Sequence, residues 1–310
     1  VSQLTRLLAW VLGLWPRRHR LALGRALGSF GWWLGIRRKV TLSNLALAFP
    51  EKREKERLWI ARRAYRNLGA GLVDFISSSK ITDAELDRIL IWDGFENFER
   101  LFGKGRGVVV ASAHLGSWEL LAAACARRGI PLNLVTRSLR GGANRELVAA
   151  RSRSGLREIP ARGALAAGTR ALRKGEVVAN LLDQNMLPKR GIFVDFFGKQ
   201  ACTTPAASIM ARRTGAPTLI ALAINQPDGR VRLHIEGPFE LPPGGTAASQ
   251  IRGHTQALCR AIERQIRLHP EQWFWLHRRW KTRPPPRKAA QVAIPGSGQI
   301  QKEEERAPPG

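Results

Sequence analysis

Three strand ends carry the residues with which this chain could do chemistry. "VVVASAHLGSWELL", residues 108–121, runs from an apolar strand through His114 into a helix that opens near Glu119. "LNLVTR" ends at Arg137, and "VVANLLD" ends at Asp183. In an open α/β sheet, ligands bind beyond the carboxyl ends of the strands, so the three ends predict one shared edge. A neutral imidazole is the usual general base near pH 7. A carboxylate beside it orients the ring and stabilises the imidazolium. On a continuous helix His114 and Glu119 would point about 140° apart. With His114 in the loop and Glu119 in the first turn they can face one cleft, and Gly116 permits the bend. The helix N-terminus offers free N–H groups to a developing oxyanion. There is no G-x-S-x-G and no His–Cys nucleophile arrangement. The simplest chemistry is direct: His114 deprotonates a substrate hydroxyl, which attacks an activated acyl or phosphoryl centre. Arg137 or backbone N–H groups would stabilise the oxyanion. The plain alternative is a packed histidine beside a surface acid.

Other chemistries leave no mark. No P-loop and no G-x-G-x-x-G follows a strand, and "GKGRG" at 103–107 precedes its strand and reads as a turn. "HLGSWE" is not H-E-x-x-H, which excludes a zinc-protease site. No set of His, Cys and carboxylates with ligand spacing surrounds His114, so neither a metal nor a cofactor is expected. Cys125, Cys202 and Cys259 are odd in number and form no C-x-x-C pair. They indicate neither a disulfide framework nor a zinc site and fit a reducing compartment.

Residues at strand ends need a sheet to position them. From about residue 90, "GVVVAS", "PLNLVTR", "LREIP", "EVVANLLD", "GIFVDFFG", "APTLIALAIN" and "VRLHIEG" read as strands. Helices are predicted over 116–128, 143–153, 163–174, "PAASIMARRTG" and 246–268, and "QPDG" joins the last two strands as a hairpin. This alternation predicts an α/β fold: a single domain with a mixed, largely parallel central sheet flanked by helices. Residues 43–80 read as helical before it. The expected organisation is an N-terminal membrane-associated helical segment over 1–40, the α/β domain over 41–283, and a disordered tail over 284–310.

The charge demands an anionic partner. Lys and Arg number 51 against 24 Asp and Glu, a net +27. Nucleic acid, an anionic membrane surface, and an acidic protein or substrate all qualify. Ten tryptophans accompany one tyrosine, with Trp10, Trp15, Trp32 and Trp33 near the start. Tryptophan favours membrane interfaces, whereas no nucleic-acid motif is visible, so nucleic acid is not expected. In "LTRLLAWVLGLWPRRHRLALGRALGSFGWWLGIRRKV" two apolar stretches flank "PRRHR". Neither reaches the ~20 apolar residues of a simple span, and a cleavable signal peptide fits poorly with an odd cysteine. The segment is expected to be an amphipathic or re-entrant anchor, with arginines on lipid headgroups and tryptophans at the boundary. A tilted short span is the alternative. Removing the segment is expected to leave the sheet folded. "WFWLHRRWK" reads either as a headgroup patch or as core tryptophans with Arg278 and Arg279 in ion pairs, and His277 is not taken as catalytic.

"AHLGSWE" resembles the H-x4-D/E signature of the glycerolipid acyltransferases. Its Gly and Trp are similar to the late lipid A acyltransferases, which add secondary acyl chains in lipopolysaccharide biosynthesis. "LSNLALAFPE", "VVANLLDQN", "GIFVDFFGKQACTTPAASIMARRTGAP" and "HPEQWFWLHRRWKTR" match the same branch in order, over about residues 5–283. The resemblance implies an O-acyltransferase acting on a hydroxyl of a lipid A precursor. His114 would be the base and Glu119 its acidic partner. Asp183 and Gln184, in "DQN", would fall in the site. Arg137 and Arg151 would lie near the acceptor or the thioester. Phe196, Phe197 and Gly198, with Thr204 and Pro205, would shape the acyl pocket and acceptor cleft. It further implies acyl carrier protein (or acyl-CoA) as donor and residence on the cytoplasmic face of the cell inner membrane. Another lipid acceptor, such as a lysophospholipid, an aminolipid or a glycolipid, is the alternative within the same chemistry. The acidic carrier and the phosphates of the acceptor or membrane would both answer the +27 charge. The interruption at "PRRHR" departs from the longer apolar span of many members.

Overall fold

The computed structural model describes residues 12–77, 81–136, 151 and 156–285. Its central strand is β2 (Val108–Ser112), "VVVAS", buried at every position. A strand apolar on both sides must be covered on both faces. The sheet runs β1 (Leu90–Asp93), β9 (Val231–Phe239), β8 (Thr218–Asn225), β2, β5 (Val177–Leu181), β3 (Leu132–Thr136) and β4 (Arg157–Pro160). Strands β8, β2, β5, β3 and β4 are mutually parallel. β9 returns antiparallel to β8 across "QPDG", and β1 lies parallel to β9. This is the mixed, largely parallel α/β sheet that the alternation predicts.

Each face has its own core. Val109, Ala111, Val178 and Ile220 pack beneath α7 (Ala164–Arg173), α8 (Ala206–Thr214) and α9 (Ala247–Leu268). Val110, Leu134, Ala179 and Ala221 face α4 (Asp83–Ile89), α5 (Phe95–Phe102) and α6 (Trp118–Arg127). Two strands were not anticipated, β1 and β7 (Lys199–Thr203). The four residues of β1 are too few to show a period. "GIFVDFFG" does contain β6 (Ile192–Phe196), but β6 pairs with β7 in a separate hairpin. The helical stretch expected over 43–80 divides into α2 (Arg38–Ala48) and α3 (Glu54–Ser77) around Pro50. The helix expected over 143–153 lies outside the described residues except for Arg151. So does the expected tail, except for residues 284 and 285.

The N-terminal segment departs furthest from expectation. "PRRHR" stands at a helix boundary: residues 12–13 are helical, 14–16 are not, and its four basic residues open the next helix. Pro16 caps α1 (Arg17–Trp33), where a missing N–H costs nothing. α1 crosses α3 at Gly24, Gly28 and Gly69, where a Cβ would run into the backbone of the opposite helix. Arg17 pairs with Asp74 at 2.7 Å and Arg20 with Glu85 at 2.9 Å. Arg20 is only 2% exposed, so these two arginines bind protein carboxylates rather than lipid headgroups. Removing α1 would leave the buried Asp74 unpaired, a costly state. The segment thus shares ion pairs with α3 and α4. Among the described residues, no helix is long and apolar enough to cross a membrane.

Candidate active site

β2 and β5 are parallel neighbours, and Ser112 stands opposite Leu181. Two residues beyond each lie His114 and Asp183, so the register itself puts the imidazole beside the carboxylate. Asp183 Oδ1 lies 2.8 Å from His114 Nδ1, and Oδ2 accepts the His114 backbone N–H at 2.8 Å. The Trp273 indole N–H donates to the same Oδ2 at 2.8 Å. Burial works against the Asp183 charge, but His114 and the three hydrogen bonds outweigh it and hold the carboxyl at about 2. An ionised Asp183 accepts from Nδ1–H, which leaves the lone pair of the neutral ring on Nε2. Gln184 Nε2 meets that atom at 3.2 Å. Trp118 approaches the ring edge-on and Phe274 flanks it, with centroids 5.3 and 6.1 Å away.

Glu119 does something else. Its carboxylate receives Arg151 Nη2 at 2.5 Å and Nε at 3.1 Å, and Arg151 Nη1 goes to Glu158 at 2.9 Å. Burial opposes the guanidinium charge, but Glu119 and then Glu158 overcome it and raise the Arg151 pKa. The acid paired with the ring is therefore Asp183, not the Glu119 expected from sequence proximity. Strand pairing brings Asp183 to the ring, whereas Glu119 leaves the first turn of α6 toward Arg151. Arg137 lies outside the described residues.

A cavity of about 1170 Å³ opens at this sheet edge. His114, Glu119, Arg151, Gln184 and Thr204 line its polar end. Much of the rest of the lining is apolar, Val110, Leu134 and Ala179 on the sheet, Leu121 on α6, and Phe95 and Phe98 on α5, with Ser112 and Asn180 among it. Its floor follows β5 from Val177 to Leu181, about 13 Å at the usual strand rise. Such a space takes a long apolar chain whose end reaches His114. Thr204 and Pro205 line it. Phe196 and Phe197 do not. They are 1% and 4% exposed and pack against Trp273, Trp275 and Trp280 on the other face of the sheet. Gly198, at positive φ, makes the tight turn between β6 and β7.

"WFWLHRRWK" is largely interior, since Trp273, Trp275 and Arg279 are buried. Arg279 has no carboxylate partner among its hydrogen bonds. It donates to the carbonyls of Cys202 at 2.9 Å and Gln184 at 3.3 Å and to Thr203 Oγ1, rather than forming the expected ion pair. His277 lines the cavity and accepts the Asn185 N–H on Nε2 at 2.9 Å. The C-terminal segment thus supports the loop after β5, a role for Trp273, His277 and Arg279 that sequence reading missed. The fixed order of "DQN" and "HPEQWFWLHRRWKTR" was the available signal, but it does not say which side chains meet. Among the described residues, no cluster of His, Cys, Asp and Glu could hold a metal ion.

Burial pushes His277 down to about 4, and also lowers His254 and His269. In the unfolded chain such a ring binds its proton near pH 6.5. Between about pH 6.5 and 4 the unfolded state holds more protons, so stability falls as pH falls through that window. Asp183 adds a separate loss, which begins below the ordinary carboxyl pKa and completes as pH falls through about 2. The melting temperature is expected to drop from pH 7 to pH 4.5. His277→Gln keeps an acceptor for the Asn185 N–H without titrating, and should flatten part of that drop in calorimetric scans. An unchanged slope would mean that the folded chain does not hold His277 neutral.

The sequence pattern that describes "Bacterial lipid A biosynthesis acyltransferase" matches residues 3–282. This chain belongs to that family. It is an acyltransferase of lipid A biosynthesis, acting on a lipid acceptor. Among its relatives is the lipid A biosynthesis lauroyltransferase of Escherichia coli K12, 28% identical over 277 residues, or 89% of each chain. The lipid A biosynthesis palmitoleoyltransferase of the same strain is 29% identical over 286 residues, covering 88% of this chain and 90% of that one. A phosphatidylinositol mannoside acyltransferase of Mycobacterium tuberculosis is 24% identical over 205 residues, covering 63% and 61%. Within the family, this lipid A acyltransferase has at the cavity mouth a His–Asp pair reached from two adjacent strands.

Proposed function

We propose that the chain transfers a fatty acyl group from an acyl carrier protein thioester, or an acyl-CoA, to a hydroxyl of a lipid A precursor. His114 is the general base. Its Nε2 takes the hydroxyl proton while the oxygen attacks the thioester carbonyl. The C–O bond forms, the C–S bond breaks, and the imidazolium returns its proton to the departing thiolate. Asp183 holds the tautomer and stabilises the imidazolium. The Gln184 amide gives up its contact with Nε2 when the hydroxyl enters. Arg137 and the N-terminus of α6 are the candidates for oxyanion stabilisation. Ser117, at the N-cap of α6, turns its hydroxyl to Asn225 Oδ1 at 2.7 Å and leaves that terminus uncapped by its side chain. Glu119 and Arg151 form the wall beside the reacting groups. Thr204 lines the cavity as a substrate contact, while Phe196, Phe197 and Gly198 take no part in it. The observation that carries this reading is a largely apolar cavity lined by His114, whose ring is paired with Asp183. Deleting the gene in its own host is expected to yield lipid A lighter by one acyl chain, as read by mass spectrometry. Unaltered lipid A with a change in another acylated lipid would favour the alternative acceptor.

The reaction takes place at the cytoplasmic face of the inner membrane. α1 and the turn after it expose Leu27, Phe30, Trp33, Leu34 and Ile36, and Trp33 is 72% exposed. Arg25, Arg37, Arg38 and Lys39 stand exposed around them, and residues 1–50 contain no Asp or Glu. Such a face gains from apolar burial and from anionic lipid, at about 1 kcal/mol per basic residue near the surface. Phe30→Ser with Trp33→Ser is expected to cut flotation with anionic vesicles several-fold while the melting temperature changes little. Full retention by the vesicles would place the contact on another surface.

A further inference from the structure

The Asp183 carboxylate is held from three directions. His114 supplies a ring N–H and a backbone N–H, and the third donor is the Trp273 indole N–H on Oδ2. Trp273 is 3% exposed and is anchored independently of that contact. It forms a bridge with Leu115, while Phe274 N–H donates to the His114 carbonyl at 3.1 Å and Gly116 N–H to that of Gln272 at 3.0 Å. Its ring stands edge-on to Trp275 at 4.5 Å and stacks with Phe197 at 6.3 Å. A buried tryptophan needs a partner for its N–H, and a backbone carbonyl suffices. Trp275 uses the Pro270 carbonyl at 2.7 Å. Trp273 is aimed instead at the acid that faces the base.

We propose that Trp273 is a positioning residue of the His114–Asp183 pair. With the His114 backbone N–H it pins Oδ2, which leaves Oδ1 to face Nδ1 and keeps the proton off Nε2. It also draws off part of the carboxylate charge and so moderates the basicity that Asp183 confers on the ring. The inference rests on the reading of His114 as the base. The other charged or titratable groups near the pair are Gln184's neighbour His277, Arg279, Cys259 on α9, and the Glu119–Arg151 pair at the mouth. None of them is altered in the test.

The test uses the full chain, a dodecanoyl acyl carrier protein thioester and a purified lipid A precursor. Trp273→Phe keeps the aromatic packing and removes the donor. Its kcat is expected to fall by about 10- to 100-fold, with both KM values within about twofold of the parent. The acid limb of kcat/KM and the His114 ring titration, followed by NMR, should both move to higher pH. Trp275→Phe is the packing control, since it loses one buried N–H remote from Asp183, and it should leave both midpoints where they are. If Trp273→Phe does not fold, 3-benzothienylalanine at position 273 replaces only the N–H with sulfur and should show the same shift. An unmoved His114 midpoint with kcat within about twofold of the parent, in either form, overturns the proposal. A shifted midpoint together with a fully active His114→Ala would support the coupling and instead overturn His114 as base.

Discussion

His114→Ala lowers acyl transfer by about 10²-fold or more, the usual loss when a general base is removed, while the chain stays folded. The fold should survive although Asp183 Oδ1 loses its ring donor, because the other carboxylate oxygen stays held and the opened site admits water to Oδ1. Asp183 keeps the backbone N–H of residue 114 and the Trp273 N–H, both on Oδ2. The ring itself is partly exposed at the cavity mouth, so its removal enlarges an opening rather than a sealed core. Steady-state transfer, read beside a circular dichroism melt, separates lost chemistry from lost structure. Near-parental turnover in a folded His114→Ala would remove the base from the mechanism.

Asp183→Asn is expected to be at least as severe, by about 10³-fold or more, for a reason peculiar to this geometry. Two N–H donors meet at Oδ2, and only an oxygen can satisfy them. The asparagine oxygen is therefore fixed there, and its NH₂ faces His114 Nδ1. That group donates, so Nδ1 must accept and the proton moves to Nε2, where the base needs its lone pair. Shape and burial hardly change, yet the ring is held in the wrong tautomer. The variant should bind acyl donor with little change in KM and fail in kcat. Comparable activity in Asp183→Asn and the parent would mean that the ring does not depend on this acid.

Much of the sheet could be read from the chain. "VVVAS" and "VVANL" are nearly continuous apolar runs, as strands covered on both faces must be, and "QPDG" marks the antiparallel turn of the seven-stranded sheet. The partner of His114 could not be read so directly. β5 follows β3 and β4 in the chain but lies between β2 and β3 in space, so the distant Asp183 becomes the neighbour and the nearby Glu119 does not. Strand order is a long-range property, and local spacing carries no trace of it. Phe196 and Phe197 misled for a similar reason. Their hairpin packs on α9 and the tryptophan cluster, a contact that composition does not specify. The tryptophans and arginines of the first 40 residues read as an interface, and part of that face is exposed. Gly24 and Gly28, four apart and opposite Gly69, were the sign that the same helix also packs tightly inward. The direction of the Trp273 N–H has no signature in sequence at all.

Direct transfer from a thioester to a lipid hydroxyl under the control of His114 leaves a definite chemical record. The most direct measurement is mass spectrometry of all three components after a single turnover, with acyl carrier protein thioester, purified lipid A precursor and the chain in equal amounts. The predicted result is one new base-labile acyl ester on the precursor, an equal amount of free carrier thiol, and no acyl group on the chain at any time. An acyl group found on the chain before it reaches the precursor, or thioester consumed with no acylated precursor formed, would contradict it.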